Sequence, residues 1–106
     1  MKRYDICWAC LDPVVGAEMA KTRPAVIVSL DVLNEHLQTV TVCPITSQLH
    51  PRWRCRLAIH CAGQPAEIAV DQIRTLSKAR LGAKLDSHSM EDAAALRRLI
   101  TEMYGE

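Results

Sequence analysis

Over the first two-thirds of the chain, apolar side chains recur with a period of two. Tyr4, Ile6, Trp8 and Cys10 alternate with Asp5, Cys7, Ala9 and Leu11, and Asp12-Pro13 ends the run, as expected of a strand stopped by a turn former. After a loop through Gly16 and Lys21, residues 24–29 (Pro-Ala-Val-Ile-Val-Ser) are apolar and β-branched. That pattern predicts a buried strand with its proline at the start, where a strand tolerates one. Asp31 is placed to cap a helical turn over residues 32–37. Residues 39–43 read as a further strand, closed by Pro44. Alternation returns over residues 52–61, setting Arg52, Arg54 and Arg56 on one face and Trp53, Cys55 and Leu57 on the other. This reading makes Trp53 a core residue and the arginines a solvated face. Gly63 and Pro65 turn the chain into residues 67–71, the alternation breaks at residues 71–76, and residues 78–84 read as a solvated segment.

The end of the chain changes period. Ser89 is a helix cap followed by Glu91 and Asp92, and Ala93, Leu96, Leu99, Ile100 and Met103 recur at three- and four-residue spacing before Gly105. This is an amphipathic helix with acids in its first turn. Five or six short strands followed by one helix predict a mainly β (β+α) fold, a small and strongly bent barrel capped by the C-terminal helix. A chain of 106 residues fits a single domain spanning 1–106.

Composition narrows the function classes. The 13 Lys and Arg against 12 Asp and Glu leave a formal charge of +1, which excludes a surface uniformly positive for non-specific nucleic-acid or membrane binding. No apolar stretch reaches the length of a membrane span and no secretory leader opens the chain, so a cytoplasmic protein is expected. The five cysteines, Cys7, Cys10, Cys43, Cys55 and Cys61, are then expected to stay reduced. Cys7 and Cys10 form a C-x-x-C, but residues three apart on a strand point to opposite faces. With the histidines His36, His50, His60 and His88 scattered, neither a metal site nor a cofactor is expected.

Three segments bring polar chemistry together. The loop over residues 12–24 holds Asp12, Glu18, Lys21 and Arg23 beside the buried strand. A guanidinium there suits a phosphate held by two parallel hydrogen bonds, and equally an ion pair with Glu18 or Asp12. Thr46 and Ser47 place two hydroxyls at a strand end, as a turn would also require. Asp71, Gln72, Arg74 and Thr75 form a polar cluster that would be hydrogen-bonded if buried.

Taken in order, Leu11-Asp12-Pro13, Gly16, Glu18, Lys21-Thr22-Arg23-Pro24 with its apolar continuation to Ser29, then Pro44-Ile45-Thr46-Ser47 and Asp71-Gln72-Ile73-Arg74-Thr75, the chain resembles the MazF/PemK (Kid) toxin family along nearly its whole length. The resemblance implies an SH3-like barrel, a homodimer, and a toxin of a type II toxin–antitoxin system. Its implied activity is a sequence-specific, ribosome- and metal-independent endoribonuclease on single-stranded RNA, with a MazE-like, partly disordered antitoxin as partner. By the same resemblance Arg23, Thr46 and Glu18 are the catalytic candidates, with Ser47, Asp71 and Gln72 as further catalytic or substrate-binding positions. Candidates for holding RNA are Lys21, Arg52, Arg54, Arg74, Lys78 and Arg80, because phosphates dominate RNA affinity. The chain departs from the family pattern at Arg3-Tyr4-Asp5, where Arg-Gly-Asp or Arg-Gly-Glu is usual. It also has Ala69 and Ala17 where some members carry an arginine and a histidine. A fold does not fix a function. Two rival readings are therefore a gyrase-binding toxin of the CcdB type, whose C-terminal Trp-Gly-Ile this chain lacks, and an inactive binding module.

Overall fold

The computed structural model describes residues 2–87 and 90–105; the Ser89 cap and His88 lie outside the described residues. Seven strands occur among the described residues: β1 (Asp5–Cys10), β2 (Thr22–Ile27), β3 (Thr39–Thr46), β4 (Arg56–Cys61), β5 (Gln64–Ala69), β6 (Arg74–Ser77) and β7 (Leu81–Ser87). Helix α1 (Asp31–His36) separates β2 from β3, and helix α2 (Met90–Tyr104) ends the fold. The strands run β4-β5-β3-β2-β1-β7 in one curled, half-barrel sheet, with β6 joined to β3. The expected mainly β architecture with a C-terminal helix is therefore present, with a seventh strand added to the five or six anticipated.

Strand β3 shapes the curl. Its first half pairs with β6, Val42 opposite Arg74, and its end pairs with β5, Ile45 opposite Ile68. Pro44 stands at this handover, where neither of those ladders runs through it, so its missing N–H interrupts neither. On the other edge β3 pairs continuously with β2, from Val42 opposite Ile27 to Pro44 opposite Ala25. Register shifts in the β1–β7 ladder around Cys7 bend the far side of the sheet.

Both faces of this sheet are buried, which explains the unbroken apolar run over residues 25–28. Alternate side chains serve different cores. Ile6, Val26, Val28, Cys43, Ile45 and Ile68 join one cluster, which α2 covers through Leu96, with Leu99, Ile100 and Met103 packed at its margin. Cys7, Ala25, Ile27, Val40, Val42 and Leu76 form a second cluster. A period of two thus divides one strand between two cores.

Five local expectations change. The strand expected to close at Pro44 runs on to Thr46, with Pro44 itself paired with Ala25. Leu30 occupies the N-cap of α1 and Asp31 lies in its first turn, where Asp31 Oδ1 accepts the Arg3 N–H at 2.7 Å. Residues 52–55 belong to turns, and β4 starts only at Arg56. Trp53 is consequently 47% exposed instead of core, lying flat on the His50 ring at 3.8 Å. Residues 81–84, part of the 78–84 segment read as solvated, fall in β7, whose backbone completes the open edge of β1.

All five cysteines are free. Cys7 is buried and Cys10 exposed, as opposite faces of one strand require. Burial, with Asp71 nearby, pushes the Cys43 thiol up to about 12, and burial also raises Cys7, Cys55 and Cys61. These thiols stay protonated at neutral pH and are poor nucleophiles.

Two outcomes check this packing. Leu96→Ala, which empties the contact between α2 and the sheet, should cost about 2–5 kcal/mol in urea denaturation. Brief alkylation of the native protein at pH 8 should label Cys10 and spare Cys43 until denaturant is added, as read by peptide mass mapping.

Candidate functional site

A cleft of about 450 Å³ opens between the β1–β2 ribbon and the β4–β5 hairpin. Its walls are set by local chain chemistry. The β4–β5 turn is two residues long, with Cys61 opposite Gln64, and Ala62 and Gly63 both take positive φ (51° and 81°). That left-handed pair matches the twist of the flanking strands. Asp86 Oδ2 accepts the Ala62 N–H at 3.1 Å and ties the hairpin tip to β7. Opposite, Trp8 pairs with Pro24 across β1 and β2, and Trp8 is 40% exposed toward the cleft.

Among the described residues lining the cleft, Lys21 and Arg23 are the only charged ones, and both are cations. Lys21 holds a left-handed backbone, φ 69°, a conformation that costs a non-glycine residue about 1 kcal/mol. Its carbonyl accepts the Leu11 N–H at 2.9 Å and its own N–H reaches Asp12 Oδ1 at 3.0 Å, so the turn is held from both sides. Its ammonium has no partner among the described residues. Arg23 donates through Nε to the Ala20 carbonyl at 2.8 Å. Its two terminal nitrogens keep their donors free among the described residues, an arrangement suited to a phosphate. Ser47, exposed and just past the end of β3, lines the same cleft.

The structure therefore gathers Lys21, Arg23 and Ser47 from the expected set and places the others elsewhere. Thr46 is 3% exposed, and its Oγ accepts the Gln48 N–H at 3.1 Å, shaping the turn behind Ser47. Glu18 is exposed and lies outside the cleft lining; its Oε1 accepts the Val15 N–H at 2.7 Å. Asp71 Oδ1 lies 3.6 Å from Arg56 Nε, and Gln72 Oε1 accepts the Met19 N–H at 3.3 Å, fastening the 12–21 loop to the sheet.

Three of the six candidate RNA-holding cations serve the protein's own backbone. Arg74 donates to the Leu11 carbonyl at 3.3 Å, Lys78 to that of Asn34 and Arg80 to that of Asp12. Arg54 pairs with Glu102 on the surface, a kind of pair worth little. Arg52 is exposed in the β3–β4 loop. Sequence reasoning missed Trp8 as a cleft wall, because alternation alone marks it as one more apolar strand position. The signal available was the following Asp12-Pro13 turn, which returns the chain to pair with β2. Among the described residues, no three His, Cys, Asp or Glu side chains converge to hold a metal ion.

Comparison with known proteins follows this geometry. An endoribonuclease MazF from Staphylococcus saprophyticus is 34% identical over 93 residues, covering 80% of this chain and 75% of that one. The crystal structure of MazF from Deinococcus radiodurans superposes with a TM-score of 0.88 over 100% of this chain and 97% of its own, at 20% identity. A mycobacterial endoribonuclease solved in complex with its cognate antitoxin gives 0.83 over 99% and 95%, at 19% identity. The profile of the PemK-like, MazF-like toxins of type II toxin–antitoxin systems matches residues 2–104. This chain belongs to that toxin family.

Proposed function

We propose that this toxin is an endoribonuclease that cuts single-stranded RNA in the cleft between the β1–β2 ribbon and the β4–β5 hairpin. The observation that carries the reading is the cleft's charge: among the described residues its only charged lining residues are Lys21 and Arg23, with the Ser47 hydroxyl in the same lining. In a chain with a formal charge of +1, this concentrates positive potential where a phosphate would sit. The family relationship supplies the reaction class. The RNA 2′-OH attacks the adjacent phosphorus, the O2′–P bond forms as the P–O5′ bond breaks, and a 2′,3′-cyclic phosphate and a 5′-OH result.

The nucleophile belongs to the substrate, so the protein's task is to stabilise charge and relay protons. The free guanidinium nitrogens of Arg23 and the Lys21 ammonium neutralise the non-bridging oxygens as charge grows on them. Arginine stays protonated throughout, which makes it a clamp rather than an acid. Ser47 donates to the phosphate, and Thr46 supports it by fixing the turn. Glu18, in the loop that leads to Arg23, is the proposed base for the 2′-OH; its carboxylate here accepts the Val15 N–H outside the cleft lining. Trp8 offers an exposed ring for a neighbouring base to stack on.

The active unit is a homodimer, supported by the small size of the core and by exposed apolar residues on and beside α1, Leu30, Val32, Leu33 and Leu37. The partner that restrains the toxin is a MazE-like, partly disordered antitoxin, a reading supported by the mycobacterial relative solved with its own antitoxin. Among the described residues no helix is long and apolar enough to cross a membrane, and the proposed site of action is the cytoplasm, where mRNA is found.

Purified protein incubated with defined single-stranded RNA in EDTA should cut at discrete sites and leave cyclic phosphate and 5′-hydroxyl ends. Absence of cleavage across varied sequences, or cleavage only with added metal, overturns the proposal. Arg23→Ala should lower the cleavage rate by about 10²–10³-fold with an unchanged circular dichroism spectrum. Ser47→Ala should slow cleavage more than Thr46→Ser, which keeps the acceptor for the Gln48 N–H.

A further inference from the structure

Glu67 and Arg56 form an ion pair in which both side chains are almost fully buried, 3% and 7% exposed. Burying two charges is expensive, and a well-packed apolar pair of similar volume serves stability as well or better. What the pair touches gives a different reason for its presence. Glu67 sits on β5 directly opposite Thr46 at the end of β3. Its Oε1 accepts the backbone N–H of His50 at 2.9 Å and lies 3.4 Å from Arg56 Nη1. The same Arg56 Nη1 donates to the Gln48 carbonyl at 3.4 Å, and the guanidinium lies 4.8 Å from the centre of the Trp53 ring, which His50 stacks upon. Arg56 Nε is buried without a hydrogen-bond partner among the described residues, with Asp71 Oδ1 at ion-pair distance. The guanidinium is therefore placed to serve Glu67 and the loop, at the cost of one unsatisfied donor.

These contacts all converge on residues 48–53, the segment that follows Ser47. We infer that Glu67 and Arg56 are positioning residues that hold the β3–β4 loop so that Ser47 faces Lys21 and Arg23 across the cleft. This inference rests on the RNA-cleaving function proposed above. Neither residue lines the cleft, so both act on substrate through the loop. Glu67 supplies the acceptor for a loop amide, Arg56 the donor for a loop carbonyl, and each neutralises the other out of water. The Trp53–His50 stack closes over the guanidinium and shields the pair.

The test compares wild type, Glu67→Ala and Glu67→Gln in RNA cleavage kinetics and in amide hydrogen exchange. Glu67→Gln keeps an acceptor oxygen for the His50 N–H, whereas Glu67→Ala removes it. In wild type the amides of Gln48 and His50 should exchange much more slowly than those of Gly16 and Ala17, exposed loop positions with no backbone partner among the described residues. Glu67→Ala should abolish the protection of His50 and raise KM about tenfold, with kcat changed less than about threefold, and Glu67→Gln should restore KM to within about threefold. A general loss of structure would lower the active fraction, and so kcat, without this split. The inference is overturned if wild-type His50 exchanges as fast as Gly16, or if Glu67→Ala keeps both KM and loop protection in a protein that cuts RNA. Where Glu67→Ala does not fold, the wild-type exchange and the Glu67→Gln kinetics decide. If wild type cuts no RNA, the cleavage reading fails, and exchange alone then judges whether the pair holds the loop.

Discussion

Strand β3 must keep one edge paired with β2 while its other edge passes from β6 to β5, and the rest of the molecule is arranged around that handover. An unbroken ladder on both edges would produce a flatter sheet with one core. The change of partner around Cys43–Pro44 turns the sheet through itself, so that apolar side chains on alternate positions enter two separate clusters. It also decides where β3 ends. Thr46 remains in the ladder opposite Glu67, and the next residue, Ser47, leaves the sheet at the cleft. The buried Thr46 hydroxyl, which accepts the Gln48 N–H, and the Glu67–Arg56 ion pair then fix the loop, so sheet topology places the Ser47 hydroxyl in the lining it shares with the two cations.

The charge distribution follows the same economy. A near-neutral chain has few cations to spare, and the structure uses most of the interior-facing ones as hydrogen-bond donors to its own carbonyls. Arg74 and Arg80 both reach the 11–12 turn, and Lys78 caps the carbonyl of Asn34. The Arg74 and Arg80 contacts steady the loop that carries Lys21 and leads to Arg23. The two cations left facing the cleft are few, but among the described residues no carboxylate in its lining offsets them. Local sorting of charge, rather than net charge, is what supports an anionic substrate here.

Much of this was legible in the sequence where the physics is local. Period-two alternation located β1, apolar β-branched runs located β2 and the first part of β3, and three- and four-residue spacing located the buried face of α2 through Leu96. The loop from Asp12 to Arg23 announced itself by its clustered charges. What escaped depends on partners distant in the chain. Alternation over residues 52–61 looked continuous, yet Arg56 enters the sheet only because Glu67 waits on β5, while Arg52, Trp53 and Arg54 stay in the loop. Residues 81–87 carry little apolar pattern of their own and become a strand because β1 offers an open edge. Thr46 and Ser47 are adjacent hydroxyls, and only the register opposite Glu67 shows that the first is buried and the second faces the cleft.

The central claim is that RNA lies in the cleft walled by Trp8, Lys21, Arg23 and Ser47. The direct measurement is an NMR titration of the protein with a single-stranded RNA made uncleavable by 2′-deoxy substitution at the cutting site. Shift changes concentrated on Trp8 Nε1–H, on the backbone amides of Lys21, Arg23 and Ser47, and on the Ala62–Gly63 turn are the predicted result. Changes confined to the outer face of α2, at Arg97 and Arg98, with the cleft signals unmoved, would contradict it.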